Sequence, residues 1–220
     1  MASAPSHPVP GLGNAAANAS GSSLAAHPVT GARTVSAREQ LLDVAGRLFD
    51  ERGVRAVGVD AVIEESGVAK ATLYRHFGGK DDLVVACLDR NEQRWWARYE
   101  SSVERHPDDA GAQLVDFFDQ LARRVTRAGW TGCPFLAAGI EYRDAGHPIG
   151  RAARDHKARV RRRFAETARA AGFADPPRVA DELMIILEGT YMTALLAGPR
   201  GAARHAGTLV ARLLDVSPRR

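Results

Sequence analysis

Apolar residues recur at intervals of three or four along most of the chain, and this spacing marks one buried face of an α-helix. The first such stretch begins after Ser36, where the order Ser-Ala-Arg-Glu places a capping serine three residues before Glu39. It ends at Gly53, a residue type that commonly terminates helices. Because no segment shows the apolar–polar alternation of a half-buried strand, the pattern predicts an all-α protein of about nine helices.

Two short helices are predicted next, over Val59–Ser66 and Ala69–Phe77, with Gly67 in the turn between them. A tight glycine turn between two short helices is typical of a helix-turn-helix, whose second helix enters the major groove of DNA. The pattern therefore predicts an N-terminal three-helix DNA-binding domain over 35–80, followed by a larger helical domain over 81–220. The helices of that larger domain are predicted at about 81–105, 114–125, 134–143, 149–171, 179–197 and 202–215.

The first 34 residues differ in composition from the rest of the chain. They are rich in Ala, Gly, Ser and Pro, and Arg33 is their one charged side chain. They lack both helical periodicity and the basic start and apolar centre of a signal peptide. Such a composition predicts a disordered tail over 1–34.

Composition and charge limit the possible partners. Lys and Arg number 30 against 26 Asp and Glu, and the resulting net charge of +4 permits a nucleic-acid partner without requiring one. The longest nearly apolar run, Leu183–Gly198, contains Glu188 and is shorter than the roughly 18 residues of a membrane-spanning helix. Two cysteines are too few for a disulfide framework. We therefore expect no membrane partner and a cytoplasmic, nucleoid-associated protein.

The sequence contains no recognisable catalytic arrangement. Its seven histidines are scattered without the spacing of metal ligands. Neither a nucleophile elbow nor a phosphate-binding loop is present. The prediction is a protein that is not an enzyme and that uses no catalytic residue, cofactor or metal ion.

The stretch Val68–Lys80, VAKATLYRHFGGK, combines three Lys or Arg residues with no acid. Leu73 and Phe77 lie one helical turn apart and are predicted to pack against the neighbouring helices. The opposite face then carries small, hydroxyl, aromatic and cationic side chains, which contact thymine methyl groups, base edges and phosphates. The predicted DNA contacts are Lys70, Ala71, Thr72, Tyr74, Arg75, His76 and Lys80.

The segment GVAKATLYRHFGGKDDLV, from Gly67 to Val84, resembles the TetR family of bacterial transcriptional repressors, and so does AGRLFDERGV upstream. The resemblance covers residues 36 to about 85, and beyond it the helical layout and the length alone agree. It implies a homodimeric repressor that binds a double-stranded, palindromic DNA operator and is released by a small-molecule effector. It also implies DNA contact through Lys70, Ala71, Thr72, Tyr74, His76 and Lys80.

Three positions depart from the pattern of the family. Ile63 stands where the family usually has a small alanine in the second helix. Gly58 replaces the usual Thr or Ser cap of that helix, and Gly79 replaces the usual Ser before Lys80. A side-chain cap contributes up to about 1 kcal/mol, although glycine substitutes for serine there with little loss. These differences bear on fine specificity rather than on DNA binding itself.

The run Leu183–Gly198 is apolar on nearly all sides, and a helix of that kind is buried on more than one side. We expect one side to pack within its own chain, with the predicted helix at 149–171, and another to meet a second copy across a two-fold axis. The alternative is that both helices are purely intramolecular core. The predicted interface residues are Val160, Phe164, Leu183, Ile186, Leu187, Tyr191 and Leu195.

The helix at 149–171 also carries a basic face. The segment RAARDHKARVRRR contains seven cations and one acid. A solvated face is the expected role of this segment. A second DNA-binding surface is the alternative.

An effector of apolar character with one or two polar groups requires a concave apolar space. Aromatic residues and the pair Glu141–Tyr142 are the candidates, although aromatic residues at helical spacing also build ordinary cores. The candidate pocket residues are Trp95, Trp96, Tyr99, Phe117, Phe118, Phe135, Glu141, Tyr142 and Tyr191.

Cys133 precedes Pro134, which suits the first position of a helix, so its thiol is expected at a helix N-terminus. Thiols at that location are often reactive. A redox- or electrophile-sensing regulator acting through Cys133 is therefore an alternative function, and a buried structural thiol is the simpler interpretation. Cys87 is predicted on another helix, in the core, so no resolving partner for Cys133 is evident.

Overall fold

A computed structural model describes residues 35–144 and 146–219. Across these ranges the chain forms nine α-helices and two short 3₁₀-helices without a β-strand, which confirms the all-α prediction. The predicted tail over 1–34 lies outside the described residues. The α-helices are α1 (Ala37–Arg52), α2 (Val59–Ser66), α3 (Lys70–His76), α4 (Lys80–Arg105), α5 (Ala110–Val125), α6 (Pro134–Glu141), α7 (Pro148–Ala170), α8 (Pro176–Ala197) and α9 (Ala206–Val216).

The ends of the first helices follow from the sequence. Ser36 and Glu39 form the predicted capping box, because the Ser36 hydroxyl accepts the Glu39 N–H and the Glu39 carboxylate accepts the Ser36 N–H, both at 3.2 Å. Gly53 caps the C-terminal end of α1 and Gly67 that of α2, with φ values of 83° and 66°. Glycine adopts positive φ without the steric cost that other residues meet, so the chain turns sharply out of each helix.

Several predicted boundaries differ from the structure: α5 begins at Ala110 rather than at 114, α6 ends at Glu141 rather than at 143, and α8 begins at Pro176 rather than at 179. The helix predicted over Ala69–Phe77 is α3 over Lys70–His76, because Ala69 and Phe77 adopt non-helical backbone at its two caps. The last predicted helix, at 202–215, is divided. A 3₁₀-helix over Ala202–His205 precedes α9, which begins at Ala206.

Apolar residues at helical spacing hold the first three helices to the rest of the chain. Leu41, Leu48 and Leu73 have no exposed surface, and α1 contacts α2, α3 and α4. Farther along, α7 packs against α4, α5, α6 and α8, while α5 packs against α9. Full burial of a leucine side chain stabilises a fold by about 1.5–3 kcal/mol, so this packing fixes the helix-turn-helix beside the start of α4.

A partly buried polar network joins α4 to α7. The Glu92 carboxylate accepts two hydrogen bonds of 2.7 Å from the Arg159 guanidinium. It also accepts a 3.1 Å hydrogen bond from Trp96 Nε1 and lies 3.3 Å from Nδ1 of His156. Burial alone raises the pKa of Glu92, but the hydrogen bonds from Arg159, Trp96 and His156 outweigh it and lower the pKa to about 2. Burial lowers the pKa of His156 to about 4 despite the nearby carboxylate, so His156 is neutral near pH 7.

The basic segment of α7 is largely paired with acids of neighbouring helices. Four of its seven cations form ion pairs with carboxylates of α4 and α8. The net positive charge of this face is therefore smaller than the sequence suggests. The pairs are Lys157–Glu188, Arg159–Glu92, Arg161–Asp181 and Arg163–Glu100.

In the part of the chain that the structure describes, no helix is long and apolar enough to cross a membrane. Among the same residues, no group of three or more His, Cys, Asp or Glu side chains is arranged to hold a metal ion.

Candidate nucleic-acid interface and ligand cavity

The first three helices place the predicted DNA contacts of α3 on one open side. Leu73 has no exposed surface and Phe77 is 4% exposed, so both side chains face the interior. Tyr74 on the opposite side is 49% exposed. The exposed residues of this side are Lys70, Ala71, Tyr74, Arg75 and His76, with Thr72 half-buried beside them.

Lys70, Ala71 and Thr72 form the first turn of α3, which is the part of a recognition helix that reaches base edges. Lys70 Nζ lies 3.0 Å from Asp60 Oδ1 in the first turn of α2, and both side chains are exposed. This hydrogen bond raises the pKa of Lys70, so the ammonium stays protonated. The sequence pattern does not single out Asp60, because an acid in a first turn is usually explained by the helix dipole.

Lys80 begins α4 and is half-buried. Its Nζ donates a 3.3 Å hydrogen bond to the backbone carbonyl of Arg55, so its charge lies beside the turn between α1 and α2. Gly79 provides no side-chain cap for α4. The Asp82 carboxylate, in the first turn of α4, accepts the N–H of Gly78 at 2.9 Å and so holds the residues that lead into the helix.

The amino-acid sequence matches two family models. Residues 41–87, from α1 into α4, match the model "Bacterial regulatory proteins, tetR family". Residues 110–210 match the model "Tetracyclin repressor-like, C-terminal domain", and the two matches together cover more than half of the chain. The chain belongs to the TetR family.

Individual helix-turn-helix regulators are also similar to this chain. The repressor ComR of Escherichia coli is 32% identical over 89 residues, which are 40% of this chain and 42% of ComR. The activator FasR of Mycolicibacterium smegmatis is 43% identical over 54 residues, which are 24% of this chain and 25% of FasR. These matches thus span less than half of each curated relative. The crystal structure of the TetR-family regulator SCO4454 from Streptomyces coelicolor gives a TM-score of 0.73 at 29% identity, covering 81% of this chain and 92% of SCO4454.

A cavity of about 260 Å³ lies between α8 and the segment that contains α6. We call it the α6–α8 cavity. Glu141 and Tyr191 from the predicted pocket set line it, together with Cys133. Ile140 and Leu195 are 50% and 51% exposed, so part of its wall is open to solvent. Other residues of its lining are Thr131, Gly132, Leu136, Ala137 and Met192.

The aromatic residues of the predicted pocket pack against one another in the core. Trp95 stacks on Tyr99 with ring centroids 5.6 Å apart and lies 5.0 Å from Phe117. Phe135 stacks on His156 at 3.6 Å, and His156 in turn meets Trp95 edge to face. None of these side chains belongs to the lining of the α6–α8 cavity. Trp96 and Phe118 are further members of the same cluster.

Glu141 and Tyr142 of the predicted pocket set also contact the turn between α1 and α2. The Glu141 carboxylate accepts the N–H groups of Val54 and Arg55 at 3.0 and 2.7 Å. The Arg55 guanidinium lies 5.1 Å from the centre of the Tyr142 ring. The end of α6 is thereby connected directly to the helix-turn-helix region.

Cys133 occupies the N-cap position of α6, with Pro134 as the first helical residue. The residue is 8% exposed, and Lys157 Nζ lies 3.7 Å from its sulfur. A second cavity, of about 100 Å³, is lined by both Cys133 and Cys87. The two cysteines therefore share one cavity although they lie on different helices. Burial raises the pKa of Cys87 to about 12, so that thiol stays protonated.

Four residues of the predicted dimer interface are fully buried within the single chain. Val160 and Phe164 of α7 and Leu183 and Leu187 of α8 have no exposed surface. They face the core where α7 packs on α8, so they have no surface to offer to a second copy, and the prediction is corrected at these positions. Tyr191 is 7% exposed and, like Leu195, lines the α6–α8 cavity.

Another part of the accessible apolar surface of α8 faces α9. A groove of about 620 Å³ runs between these helices, and Ile186 of the predicted interface lines it. Ile185 and Leu209 also line it and are 72% and 51% exposed. Leu196 of α8 is 78% exposed. Small residues that line the groove are Gly189, Ala202, Ala203 and Ala206.

Proposed function

We propose that the protein is a homodimeric transcriptional repressor that binds a palindromic DNA operator and leaves it when a small apolar molecule binds. In this proposal residues 35–80 form the DNA-binding domain, and residues 81–220 form the effector-binding and dimerisation domain. The observation that carries it is the open side of α3, which presents hydroxyl, phenol, guanidinium and imidazole groups from a helix-turn-helix. Groups of this kind bind base edges and phosphate oxygens.

In this proposal, different residues of α3 contact different parts of the DNA. Ala71 and Thr72, in the first turn, approach the bases, where small side chains and methyl groups contact thymine. Tyr74, Arg75 and His76 donate to phosphate oxygens. Lys70 and Lys80 contribute positive charge at the two ends of the segment.

A second copy supplies the second recognition helix. Specific operators place two half-sites about 34 Å apart, so a dimer holds both helices at that distance. Ile185, Leu196 and Leu209 are each more than half exposed on the adjacent helices α8 and α9. Ile185 and Leu209 line the same groove between these helices, and an exposed apolar surface of this kind marks an interface. A two-fold axis along the α8–α9 groove brings the same surface of both copies together.

The α6–α8 cavity is the proposed effector site. Its wall is mainly apolar, and Tyr191, Glu141 and Cys133 supply a few polar groups. Burial raises the pKa of Tyr191, so its hydroxyl stays neutral and is able to donate a hydrogen bond. A largely apolar molecule with one or two polar groups fits this composition.

The response to the effector is a shift between two conformations. A ligand changes their populations only through a difference in its affinity for them. α4 begins at Lys80 beside the helix-turn-helix and extends to Arg105 in the larger domain. A pivot of α4 changes the distance between the two copies of α3 and removes the spacing that the operator requires.

Selection of genomic DNA fragments with the purified protein tests this function. The parent is compared with the double variant Thr72→Ala, Tyr74→Ala and with Thr126→Ala, a matched hydroxyl deletion at the end of α5. We expect the parent and Thr126→Ala to enrich one palindromic sequence and the double variant to enrich none. Binding that depends on salt but not on sequence would contradict the proposal. A reporter gene behind the recovered operator then separates repression from activation.

A thiol-based sensor is a second candidate function. The contact of Lys157 with Cys133 and the two cavities that reach the thiol support it. Treatment with N-ethylmaleimide or hydrogen peroxide should then release the parent and Cys87→Ser from the operator. Cys133→Ser should bind DNA as the parent does but resist release. Equal release of Cys133→Ser would exclude Cys133 as the sensor.

A further inference from the structure

The turn between α1 and α2 is held by a side chain from a distant part of the sequence. Glu141 Oε1 accepts the Val54 N–H at 3.0 Å, and Glu141 Oε2 accepts the Arg55 N–H at 2.7 Å. Glu141 is the last residue of α6 and is 87 positions beyond Val54. Hydrogen bonds to a carboxylate are among the stronger ones in proteins, and here both oxygens are engaged.

The backbone of the turn makes this contact possible. α1 ends at Gly53, where φ is 83° and ψ is 153°, so the chain leaves the helix before Val54. The N–H groups of Val54 and Arg55 then point away from the helix and require another acceptor. A Cβ atom on Gly53 would lie 3.2 Å from Glu141 Oε1, so the glycine gives the carboxylate room to approach.

Further contacts connect the same two regions. The Arg55 carbonyl accepts a hydrogen bond from Lys80, the first residue of α4. The Arg55 side chain lies over the Tyr142 ring. His147, just before α7, lies 3.5 Å from the carboxylate of Asp81 in the first turn of α4. The end of α6 and the residues after it therefore contact both the α1–α2 turn and the start of α4.

α6 is also a wall shared by two cavities. Ala137 lines the α6–α8 cavity and the smaller cavity that reaches Cys87. Glu141 lines the former, whereas Gly53 and Val54 line the latter. A displacement of α6 in either cavity therefore changes the position of the carboxylate relative to the two amide groups that it binds.

We propose that Glu141 is the positioning residue through which α6 sets the orientation of the helix-turn-helix. While its carboxylate binds Val54 and Arg55, each copy of α3 keeps the orientation that the operator requires. A molecule in the α6–α8 cavity displaces α6 and breaks the two hydrogen bonds. This inference rests on the proposed DNA-binding function. It adds that a conformational change at the α6–α8 cavity is transmitted to α3 through the α1–α2 turn as well as through α4.

The expected effect on DNA binding follows from the populations of the two orientations. Without the carboxylate, fewer molecules hold α3 in the competent orientation, and the apparent affinity falls by the same fraction. Two hydrogen bonds to a charged group are lost in Glu141→Ala, so we expect an operator affinity about tenfold weaker. Glu141→Gln keeps one acceptor oxygen, so its effect should be smaller, about threefold.

The experiment compares the full-length parent, Glu141→Ala, Glu141→Gln and Glu100→Ala. Glu100 is a matched control, because it is an exposed glutamate that pairs with Arg163 of α7 rather than with the α1–α2 turn. Operator affinity is measured by fluorescence anisotropy on the fragment recovered by genomic selection. Hydrogen exchange of the amides at 54 and 55 and thermal unfolding are measured in parallel.

We expect both Glu141 variants to show faster exchange at 54 and 55 and weaker operator binding, with Glu100→Ala matching the parent in both. A merely structural role would lower the unfolding temperature and leave the affinity of the folded protein unchanged, and that result overturns the inference. Unchanged exchange at 54 and 55 overturns it as well. A parent that selects no operator instead overturns the proposed function, and the exchange measurement distinguishes that failure from the absence of the Glu141 contact. If Glu141→Ala does not fold, Glu141→Gln carries the comparison.

Discussion

Lys70 Nζ and Asp60 Oδ1 lie 3.0 Å apart and join the first turns of α3 and α2. The acid thus places a negative charge beside the helix that we propose to enter the major groove. Asp60→Asn removes that charge, so affinity for any DNA should rise a few-fold, and the slope of log affinity against log salt should steepen by up to about one. Anisotropy titrations at several salt concentrations measure both quantities.

The matched control for this prediction is Asp43→Asn, because Asp43 pairs with Arg90 instead of with α3. It should leave affinity and salt slope near the parent values. A weaker affinity of Asp60→Asn would show that the carboxylate orients Lys70 for its DNA contact.

Charged residues in the α8–α9 groove should separate the two copies. Ile185→Glu and Leu209→Glu each place a carboxylate on the proposed apolar interface, where its desolvation opposes association. We expect dimer dissociation constants at least about 100-fold higher, with operator binding weakened in step. Sedimentation equilibrium measures the first quantity. Val216→Glu adds the same charge at a 76%-exposed residue at the end of α9, and it should remain dimeric. Dimerisation of the Ile185 and Leu209 variants like that of the parent would place the interface elsewhere.

Acid should destabilise the protein in two successive ranges of pH. The pKa of His156 falls from 6.5 to about 4 on folding, so the stability that its neutral form contributes is present above pH 6.5 and is lost as the pH falls toward 4. The pKa of Glu92 falls from 4.5 to about 2, so its contribution is lost at still lower pH. Both effects have the same sign because the unfolded chain binds more protons in each range.

Urea unfolding between pH 7.5 and 4 measures the loss of stability in the first range. Over this range the free energy of unfolding of the parent should fall by up to about 3 kcal/mol because His156 becomes protonated on unfolding. His156→Gln should be less stable at pH 7.5, because it loses the ring stacked on Phe135, but should show a flatter dependence on pH. An equally steep dependence in His156→Gln would assign the acid sensitivity to other groups.

Gly150 should be intolerant of any side chain. It lies in the first turn of α7, and a Cβ atom there would overlap the backbone carbonyl oxygen of Tyr142. A backbone atom cannot move aside as a flexible side chain does, so Gly150→Ala should cost several kcal/mol, on the order of the larger single-site effects. Thermal unfolding checks this against Gly139→Ala in α6, where the nearest atom is 4.0 Å away and the change should be neutral or stabilising. Similar melting temperatures for the two variants would show that the backbone between α6 and α7 can move to accommodate the added methyl group.

The helices themselves could be predicted from the sequence because their determinants are local. The Ser36 capping box and the glycines at 53 and 67 fix helix ends through neighbouring residues, and the structure places those ends as predicted. The inward face of α3 follows from the single-turn spacing of Leu73 and Phe77. Local spacing is sufficient here because each short helix has one apolar face.

The orientation of α8 could not be predicted in the same way. A helix that is apolar on nearly all sides offers several faces that suit a core equally well. Leu183 and Leu187 are buried within the chain, whereas Ile185, only two positions from each, is 72% exposed. Which face meets α7 depends on the shape of α7 and not on the composition of α8. The sequence identified the helix but not its exposed side.

The contacts of Glu141 and Cys133 were beyond sequence reasoning for a related reason. Glu141 binds amides 87 and 86 positions away, and Cys133 lies beside Lys157, 24 positions along the chain. No helical spacing relates such positions, so their proximity arises only from the packing of α6 against other elements. Aromatic residues such as Tyr99 show the converse: their spacing indicates burial but does not distinguish a filled core from a cavity.

The ion pairs of α7 also bear on how the protein first meets DNA. Four cations of that helix are balanced by acids on α4 and α8, whereas the segment from Gly67 to Lys80 carries three cations and no acid of its own. Ion pairing therefore offsets four of the seven cations of the α7 segment, whereas in the segment from Gly67 to Lys80 it offsets Lys70, which pairs with Asp60. In the negative potential of DNA, such an uneven charge distribution exerts a torque that turns α3 toward the duplex during diffusion. The ion pairs of α7, which lies outside the proposed DNA interface, thus favour encounters in which α3 already faces the DNA. Their effect is on the rate of association rather than on the affinity of the final complex.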